Sequence, residues 1–362
     1  MNRKQRILFV DDEPRVVSGL RRMMRSARAE WETFGAPGGR EALDILGDND
    51  IDVIVSDVRM PGMMGFELLD EVRKRHPATI RLALSGQAST RDLDRCVGPV
   101  HRFLSKPCAA GTLKDVLSWA RVLMDMPVSD RLKGIIGRLE ALPSLPAAYD
   151  RLQEELQAQK PTAKAVAAAV SRDVGMSLRV LQLASSSFYA AHSAMASPAH
   201  LVDFLGVDLL RRLAALPLAF RRCPRPEGEN FSLARQCRHA LTVASFARRI
   251  AETEGAEQNA AEEAYVAGLL HDVGKILFIA EFPDKYDEAL ALVKQGAMDP
   301  LDAEQRVLQV THPAAGVYLL RLWGLPAGVA RGAAAHHPRP IGAGRSSQIT
   351  RTASTMDARP TS

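Results

Sequence analysis

Residues 52–69 read DVIVSDVRMPGMMGFELL. A short branched run, Ile51–Ser56, ends on the acidic Asp57, a Pro-Gly turn follows at Pro61-Gly62, and an amphipathic stretch opens at Gly65. This order predicts a buried strand, a loop and a helix over 65–75. Ile7–Val10, Ile80–Leu84 and His101–Leu104 are runs of the same kind, with a weaker one near Trp31–Phe34. Between them fall helical patterns at about 14–28, 39–47, 89–96 and 110–124. Such alternation predicts an α/β unit over 1–125, a doubly wound five-stranded parallel sheet with helices on both faces. The site of such a sheet lies beyond the carboxyl ends of its strands. Asp11-Asp12, Asp57, Ser85 and Lys106 follow strands one, three, four and five.

Three carboxylates at one edge repel one another unless a cation sits among them. Oxygen ligands without imidazole favour Mg²⁺. A lysine and a hydroxyl aimed at the same spot suit a phosphoryl group. Each residue taken alone is an ordinary polar strand end, but the set in this order is not. With ILFVDDEP, IRLALSG and HRFLSKP, the quoted stretch makes residues 5–124 resemble the receiver domain of bacterial two-component response regulators, a flavodoxin-like fold. The resemblance implies that Asp57 is the phosphoacceptor. Asp12, Asp57 and the Arg59 backbone carbonyl would hold Mg²⁺, with Asp11 acting through water. Ser85 and Lys106 would bind the phosphoryl oxygens, Phe103 would be the switch aromatic, and Lys106-Pro107 would be cis. It also implies a histidine kinase partner and a homodimer through the fourth and fifth receiver helices.

The composition excludes other classes. Of the 362 residues, 46% are hydrophobic and 25% charged, which is ordinary globular composition. No run reaches the roughly 18 apolar residues of a membrane span, and the N-terminus lacks a secretory pattern, so a cytoplasmic protein is expected. Cys96, Cys108, Cys223 and Cys237 show neither disulfide-framework nor zinc-finger spacing. The net charge of +5 spreads as 20 basic against 18 acidic groups over 1–125, 23 against 23 over 126–337, and 4 against 1 over 338–362. Arg211-Arg212 and Arg221-Arg222 are the only support for a DNA-binding output, and no basic recognition helix accompanies them.

After Met126-Pro127 the pattern becomes helical throughout, without a convincing strand to 337. We expect a helical linker over 126–140, into which the last receiver helix continues, an all-α domain over 141–337 and a disordered tail over 338–362. Residues 264–280, AYVAGLLHDVGKILFIA, predict a helix buried all round, with His271 and Lys275 four apart on one face. Burying His271, Asp272 and Lys275 without partners is costly, so they must pair, bind something or face a cleft. His239 falls in line with Val243, Phe246 and Ile250 on an expected inward stripe. His312 follows Thr311, an expected N-cap, and His336-His337 close a helix ended by Pro338. A lone inward histidine is more often a bonded core residue, and Lys275 could merely snorkel. Five histidines and an aspartate together suggest one ancestral site suited to Fe, Mn or Zn.

LPSLPAAYDRL, RVLQLASSSFYA, AGLLHDVGKILF, HPAAGVYLLRLWGLP and AAAHH make residues from about 135 to 337 resemble the HDOD domain, an all-helical relative of the HD phosphohydrolases. HDOD domains resemble non-catalytic scaffolds that engage signalling proteins. Hydrolytic relatives use His, His-Asp, further His and a closing Asp as metal ligands. His239, His271, Asp272, His312, His336 and His337 match all but the last, and Lys275 would contact phosphate. No closing Asp in helical context follows His337, and the G-Y-P element of cyclic di-GMP phosphodiesterases is absent. The expected function is a response regulator whose phosphorylation at Asp57 controls an HDOD output acting on an unknown signalling protein. The alternative is a phosphorylation-regulated, metal-dependent phosphohydrolase of cyclic dinucleotides or nucleotides.

Overall fold

The computed structural model describes residues 3–86, 98–184, 198–214 and 220–337. The expected helix at 89–96, and with it half of the expected dimer face, lies outside these residues, as do Cys96 and the tail. The described chain divides into two compact units. One holds residues 3–125 with Ser129–Glu140, and the other Met126–Val128 with the residues from Ala141 on.

In the first unit, five parallel strands run in the order β2-β1-β3-β4-β5. They are β1 (Gln5–Val10), β2 (Trp31–Ala36), β3 (Val53–Asp57), β4 (Ile80–Ser85) and β5 (Arg102–Ser105). β3 and β4 are buried at every position, which explains their unbroken apolar character. The flanking helices are α1 (Pro14–Met23), α2 (Gly39–Asp48), α3 (Gly65–Arg75) and α4 (Ala110–Asp125). α1 is shorter than expected because its last turn tightens to a 3-10 helix over Met24–Ala27. The register Asp57↔Leu84 and Ser85↔Ser105 brings Asp57, Ser85 and Lys106 to one end of the sheet. Gly65 is required there: a Cβ on it would lie 1.8 Å from the Asp57 carbonyl oxygen, so only glycine lets α3 start against the end of β3.

The last receiver helix does not continue into the linker. α4 stops at Asp125, ahead of Pro127, and the Ser129 hydroxyl accepts the Leu132 N–H at 3.4 Å to start a new helix, α5 (Asp130–Arg138). α5 lies on the first unit. The Cα of Gly137 packs on the Pro77 carbonyl, and Arg81, fully buried on β4, donates to Gly137 O at 2.6 Å. The same guanidinium donates to Pro99 O at 2.6 Å and Thr79 O at 3.1 Å, and an NH₂ group lies 2.7 Å from His101 Nε2.

Among its described residues, the second unit is helical apart from a two-residue parallel pair, β6 (Pro143–Ser144) with β7 (Arg221–Arg222), and an isolated antiparallel bridge between Glu227 and Ser232, where no strand was expected. Two residues per strand leave no periodicity to read. Arg221 pairs with Glu281 at 3.0 Å, Arg222 with Asp150 at 3.2 Å and Arg211 with Asp208 at 3.4 Å, so these arginines offer no bare basic stripe. The helices that build the histidine region are α6 (Leu233–Thr253), α7 (Gln258–Leu270), α8 (Val273–Glu281), α9 (Pro300–Leu308), α10 (His312–Leu322) and α11 (Ala327–Ala335). No helix among the described residues is long and apolar enough to cross a membrane.

Two expectations change here. The segment 264–280 is not one helix: α7 ends at Leu270 and α8 begins at Val273, so His271 and Asp272 occupy the break and His271 shares no helical face with Lys275. The stripe through His239 is not inward either. α6 buries Leu233, Cys237, Ala240 and Ala244, whereas Phe246 and Ile250 are 61% and 60% exposed. The small residues face inward because α7 comes so close that a Cβ on Gly268 would sit 2.8 Å from the Ala244 Cα. Bulky side chains have no room on that face around Ala244.

Candidate functional site

At the carboxyl end of the receiver sheet, Asp11 and Asp57 are buried while Asp12 is exposed. Carboxylate oxygens of the three lie within 4.8 Å of one another. The Lys106 ammonium bridges two of them, 2.7 Å from Asp11 Oδ2 and 2.9 Å from Asp57 Oδ2. Burial by itself would lower this ammonium, but its bonds to the two carboxylates hold it above the ordinary lysine range. Lysine thus supplies part of the positive charge the acids require, and Asp12 keeps a free carboxylate beside them. Ser85 is buried at the end of β4. Lys106 donates its backbone N–H to Ser85 O at 2.7 Å, and its bond to Pro107 is cis. Phe103 is half-buried against the core that includes Ile54, Val58 and Ala83. Arg59 lies two residues past Asp57, in the loop before α3.

The second unit gathers the five singled-out histidines around Asp272. The helix break presents His271 and Asp272, α6 supplies His239, the start of α10 supplies His312 and the end of α11 supplies His336 and His337. Gly274 permits this assembly: a Cβ there would lie 2.0 Å from the His312 carbonyl oxygen, so α8 and α10 meet backbone to backbone. Two overlapping groups result, Asp272 with His312, His336 and His337, and Asp272 with His239 and His271. His239 stands at the rim, its side chain 52% exposed.

The outward hydrogen bonds of three rings fix what faces inward. His271 Nδ1 donates to Gly268 O at 2.7 Å, His336 Nδ1 to Ala333 O at 3.0 Å and His312 Nδ1 to the Glu304 carboxylate at 2.8 Å. In the neutral ring, each Nε2 then carries a lone pair. His312 Nε2 lies 3.2 Å from His336 Nε2 and 3.0 Å from His337 Nε2. Asp272 Oδ1, which is buried and accepts no hydrogen bond, is 3.2 Å from His312 Nε2 and 3.1 Å from His336 Nε2. His312 Nε2, His336 Nε2 and Asp272 Oδ1 are then acceptors facing one another, an arrangement that a cation between them would stabilise. A tetrahedron with metal–nitrogen bonds of about 2.0–2.1 Å has edges of about 3.3–3.4 Å, close to these spacings. The donor set therefore fits a divalent ion of the Fe, Mn or Zn kind.

Without a metal, a proton can take the cation's place. Burial by itself would raise the Asp272 carboxyl, but hydrogen bonds from His271, His312 and His336 when these rings carry the proton, and then the Lys275 charge, hold it far below the usual range, so such a proton resides on imidazole. Burial, followed by the neighbouring His336 and His312, lowers His337 to about 4. Burial and His271 also lower His239. Lys275 Nζ and Gln236 Nε2 both donate to Asp272 Oδ2, at 2.7 and 3.0 Å. Lys275 is thus an ion-pair partner of the site and not a snorkelling chain.

Two participants were missed in the sequence. Glu304, on α9, is buried and accepts both the Nδ1–H and the backbone N–H of His312, the latter at 2.7 Å. It therefore does the capping expected of Thr311, whose hydroxyl makes no cap bond. Gln236, one turn before His239, is the other. The Glu-x₇-His spacing across a helix end was the available signal for Glu304. Gln236 left none.

Comparison with known proteins follows the same division. Residues 7–118 match the response regulator receiver domain family, and residues 142–339 the HDOD domain family. The hydrogenase transcriptional regulatory protein HoxA of Cupriavidus necator is 33% identical over 116 residues, 32% of this chain and 23% of that protein. Response regulator protein PilR of Pseudomonas aeruginosa is 28% identical over 148 residues, 38% of this chain and 32% of that protein. An uncharacterized protein of Treponema pallidum is 23% identical over 206 residues, 57% of this chain and 39% of that one. The chain thus spans less than two fifths of the length of these relatives. Among solved structures, the MmoQ response regulator of Methylococcus capsulatus is 23% identical, covers 59% of this chain and 83% of its own, and has a TM-score of 0.46. The receiver domain of an HD domain-containing protein of Pseudomonas fluorescens is 26% identical, covers 33% of this chain and 95% of its own, and has a TM-score of 0.31.

Proposed function

Because the chain belongs to the HDOD domain family and carries a response regulator receiver domain, we propose that it is a phosphorylation-controlled signalling protein of the cytoplasm whose HDOD unit is the output. The observation that carries this reading is Asp57 at the end of β3, held with Asp11 and Lys106 and beside the exposed Asp12. Asp57 attacks the phosphorus of a histidine kinase's phosphohistidine. The new O–P bond replaces the P–N bond, and the leaving imidazole departs with the electron pair. Asp12, Asp57 and the Arg59 carbonyl would hold Mg²⁺, which spreads the charge developing on the transferring oxygens; Asp11 acts through water. Lys106 and Ser85 then take the phosphoryl oxygens, and Phe103 follows Ser85 inward. The altered receiver changes how the HDOD unit engages a signalling partner, a bias that needs only a few kcal/mol. The test uses the intact chain with acetyl phosphate and Mg²⁺. Wild type gains one phosphoryl mass and Asp57→Asn does not, and only the phosphorylated protein alters hydrogen exchange within residues 141–337. Phosphorylation without such a response would refute control of the output.

A second reading is favoured by the unbonded Asp272 Oδ1 among inward-facing imidazoles. On this reading, His312, His336, His337 and Asp272 hold a divalent metal, with His239 and His271 beside it, and the unit is a regulated phosphohydrolase. Bound there, the metal would supply Lewis acidity toward a phosphoryl oxygen. Turnover of a cyclic dinucleotide that is lost in His312→Ala would establish it; metal without turnover leaves the site a structural or regulatory centre.

A further inference from the structure

The two oxygens of Asp272 are treated differently. Oδ2 accepts from Gln236 Nε2 at 3.0 Å and Lys275 Nζ at 2.7 Å, whereas Oδ1 accepts nothing. Two potential metal positions share this carboxylate. One is bounded by Oδ1, His312, His336 and His337. The other is bounded by Oδ2, His239 and His271, whose Nε2 atoms lie 3.6 and 3.3 Å from Oδ2. Both groups are compact enough to ligate. Only the first has an oxygen to give.

We propose that the cluster takes a single metal ion, on the Oδ1 side, and that the Lys275 ammonium is the built-in cation of the Oδ2 side. This rests on the reading that the cluster binds metal at all. The Lys275 side chain is 22% exposed and Asp272 2%, so solvent screens their contact weakly. A metal entering beside His239 and His271 would have to displace both donors from Oδ2 and would face an ammonium on the same oxygen. With one ion, the site lacks the paired clamp that two-metal centres apply to attacking and leaving oxygens. Any phosphoryl group bound here would instead meet one metal and one lysine.

The test counts metal in the full-length chain. Protein stripped with chelator is titrated with Co²⁺ under saturating Mg²⁺, which keeps the receiver carboxylates occupied, and read by equilibrium dialysis and by the visible Co²⁺ bands. Wild type is expected to take one equivalent, lost in His312→Ala and retained in His239→Ala. Lys275→Gln, with circular dichroism unchanged, is expected to take two equivalents, the second lost on adding His239→Ala. Lys275→Arg, which keeps the cation, is expected to stay at one. Two equivalents in wild type would overturn the proposal whatever the variants do, as would a folded Lys275→Gln that stays at one. No tight Co²⁺ in wild type would instead refute the metal reading itself, and the proposal with it.

Discussion

α5 carries two glycines, Gly134 and Gly137, whose surroundings make opposite predictions for one substitution. A Cβ on Gly134 would meet the Pro77 ring at 3.7 Å, an ordinary contact. Gly134→Ala should therefore stabilise by roughly 0.5–1 kcal/mol, the gain from replacing glycine within a helix. A Cβ on Gly137 would lie 1.9 Å from the Pro77 carbonyl oxygen. Neither partner is a movable side chain, so the helix end must lift by more than an ångström. That lift breaks the bond from Arg81 to Gly137 O, now 2.6 Å. A bond to a charged donor contributes about 1.5–3 kcal/mol, and overpacking costs about 1–3 kcal/mol, so Gly137→Ala should destabilise by about 3–5 kcal/mol. The assay is urea unfolding of the full chain with peptide-resolved hydrogen exchange, which separates residues 129–140 from the second unit. Gly137→Ala should lower the receiver midpoint and deprotect 129–140, and Gly134→Ala should raise the midpoint. Equal responses from the two variants would show that α5 is not seated on Pro77 and Arg81 as described.

Other predictions follow from single contacts. Glu304→Gln turns one acceptor toward His312 into a donor, so Co²⁺ affinity should fall about 10–100-fold by titration, the usual effect of losing a ligand's supporting carboxylate; unchanged affinity would refute its positioning role. Burial, then the Arg81 charge, lowers His101 well below its ordinary value, so it is neutral in the folded state. The unfolded chain takes up this proton first as pH falls below about 6.5. The contribution of His101 is therefore complete above that pH and is lost at up to about 1.4 kcal/mol per pH unit below it. His101→Gln should flatten this dependence in urea melts taken from pH 7.5 to 5.5. Lys106→Met removes the ammonium between Asp11 and Asp57, so calorimetric Mg²⁺ affinity should rise roughly tenfold. A weaker Mg²⁺ site would show that the lysine organises the acids and does not compete for them.

What the sequence revealed depended on how local each determinant was. Asp11, Asp12, Asp57, Ser85 and Lys106 end short apolar runs, and parallel pairing alone brings strand ends together, so their convergence was readable. Arg81 was hidden for the opposite reason. It sits inside an apolar strand, and carbonyls distributed over the sequence, those of Pro77, Thr79, Pro99 and Gly137 among them, reveal why a cation is buried there. The register of α6 misled because hydrophobicity favours Phe246 and Ile250 for the interior. The close approach of Gly268 to Ala244 reserves that face for alanine. The break at His271-Asp272 was equally silent, since apolar residues continue on both sides of it. Glu304 resembled any helix-surface acid until its distance from His312 was known.

Both candidate centres set a lysine ammonium against a carboxylate that a metal would also seek, and the surroundings of each lysine separate their roles. Lys106 bridges two carboxylates while a third, Asp12, stays exposed, so a divalent ion can be added without removing the lysine from both. The bridge also keeps an ammonium within reach of the group that Asp57 would acquire under the proposed phosphorylation. Lys275 instead shares one oxygen of a single aspartate with Gln236, and the free oxygen faces the opposite way. A metal on Oδ1 leaves that ion pair in place, and a metal on Oδ2 destroys it. The first arrangement suits a carboxylate whose charge would change under the proposed phosphorylation; the second suits a fixed centre whose occupancy would shape the helix break and the two further helix ends around it. Under the metal reading, removing the ion from the HDOD unit should then disturb hydrogen exchange at 268–275 and 333–337 together, because Asp272 and His336 would both be its ligands.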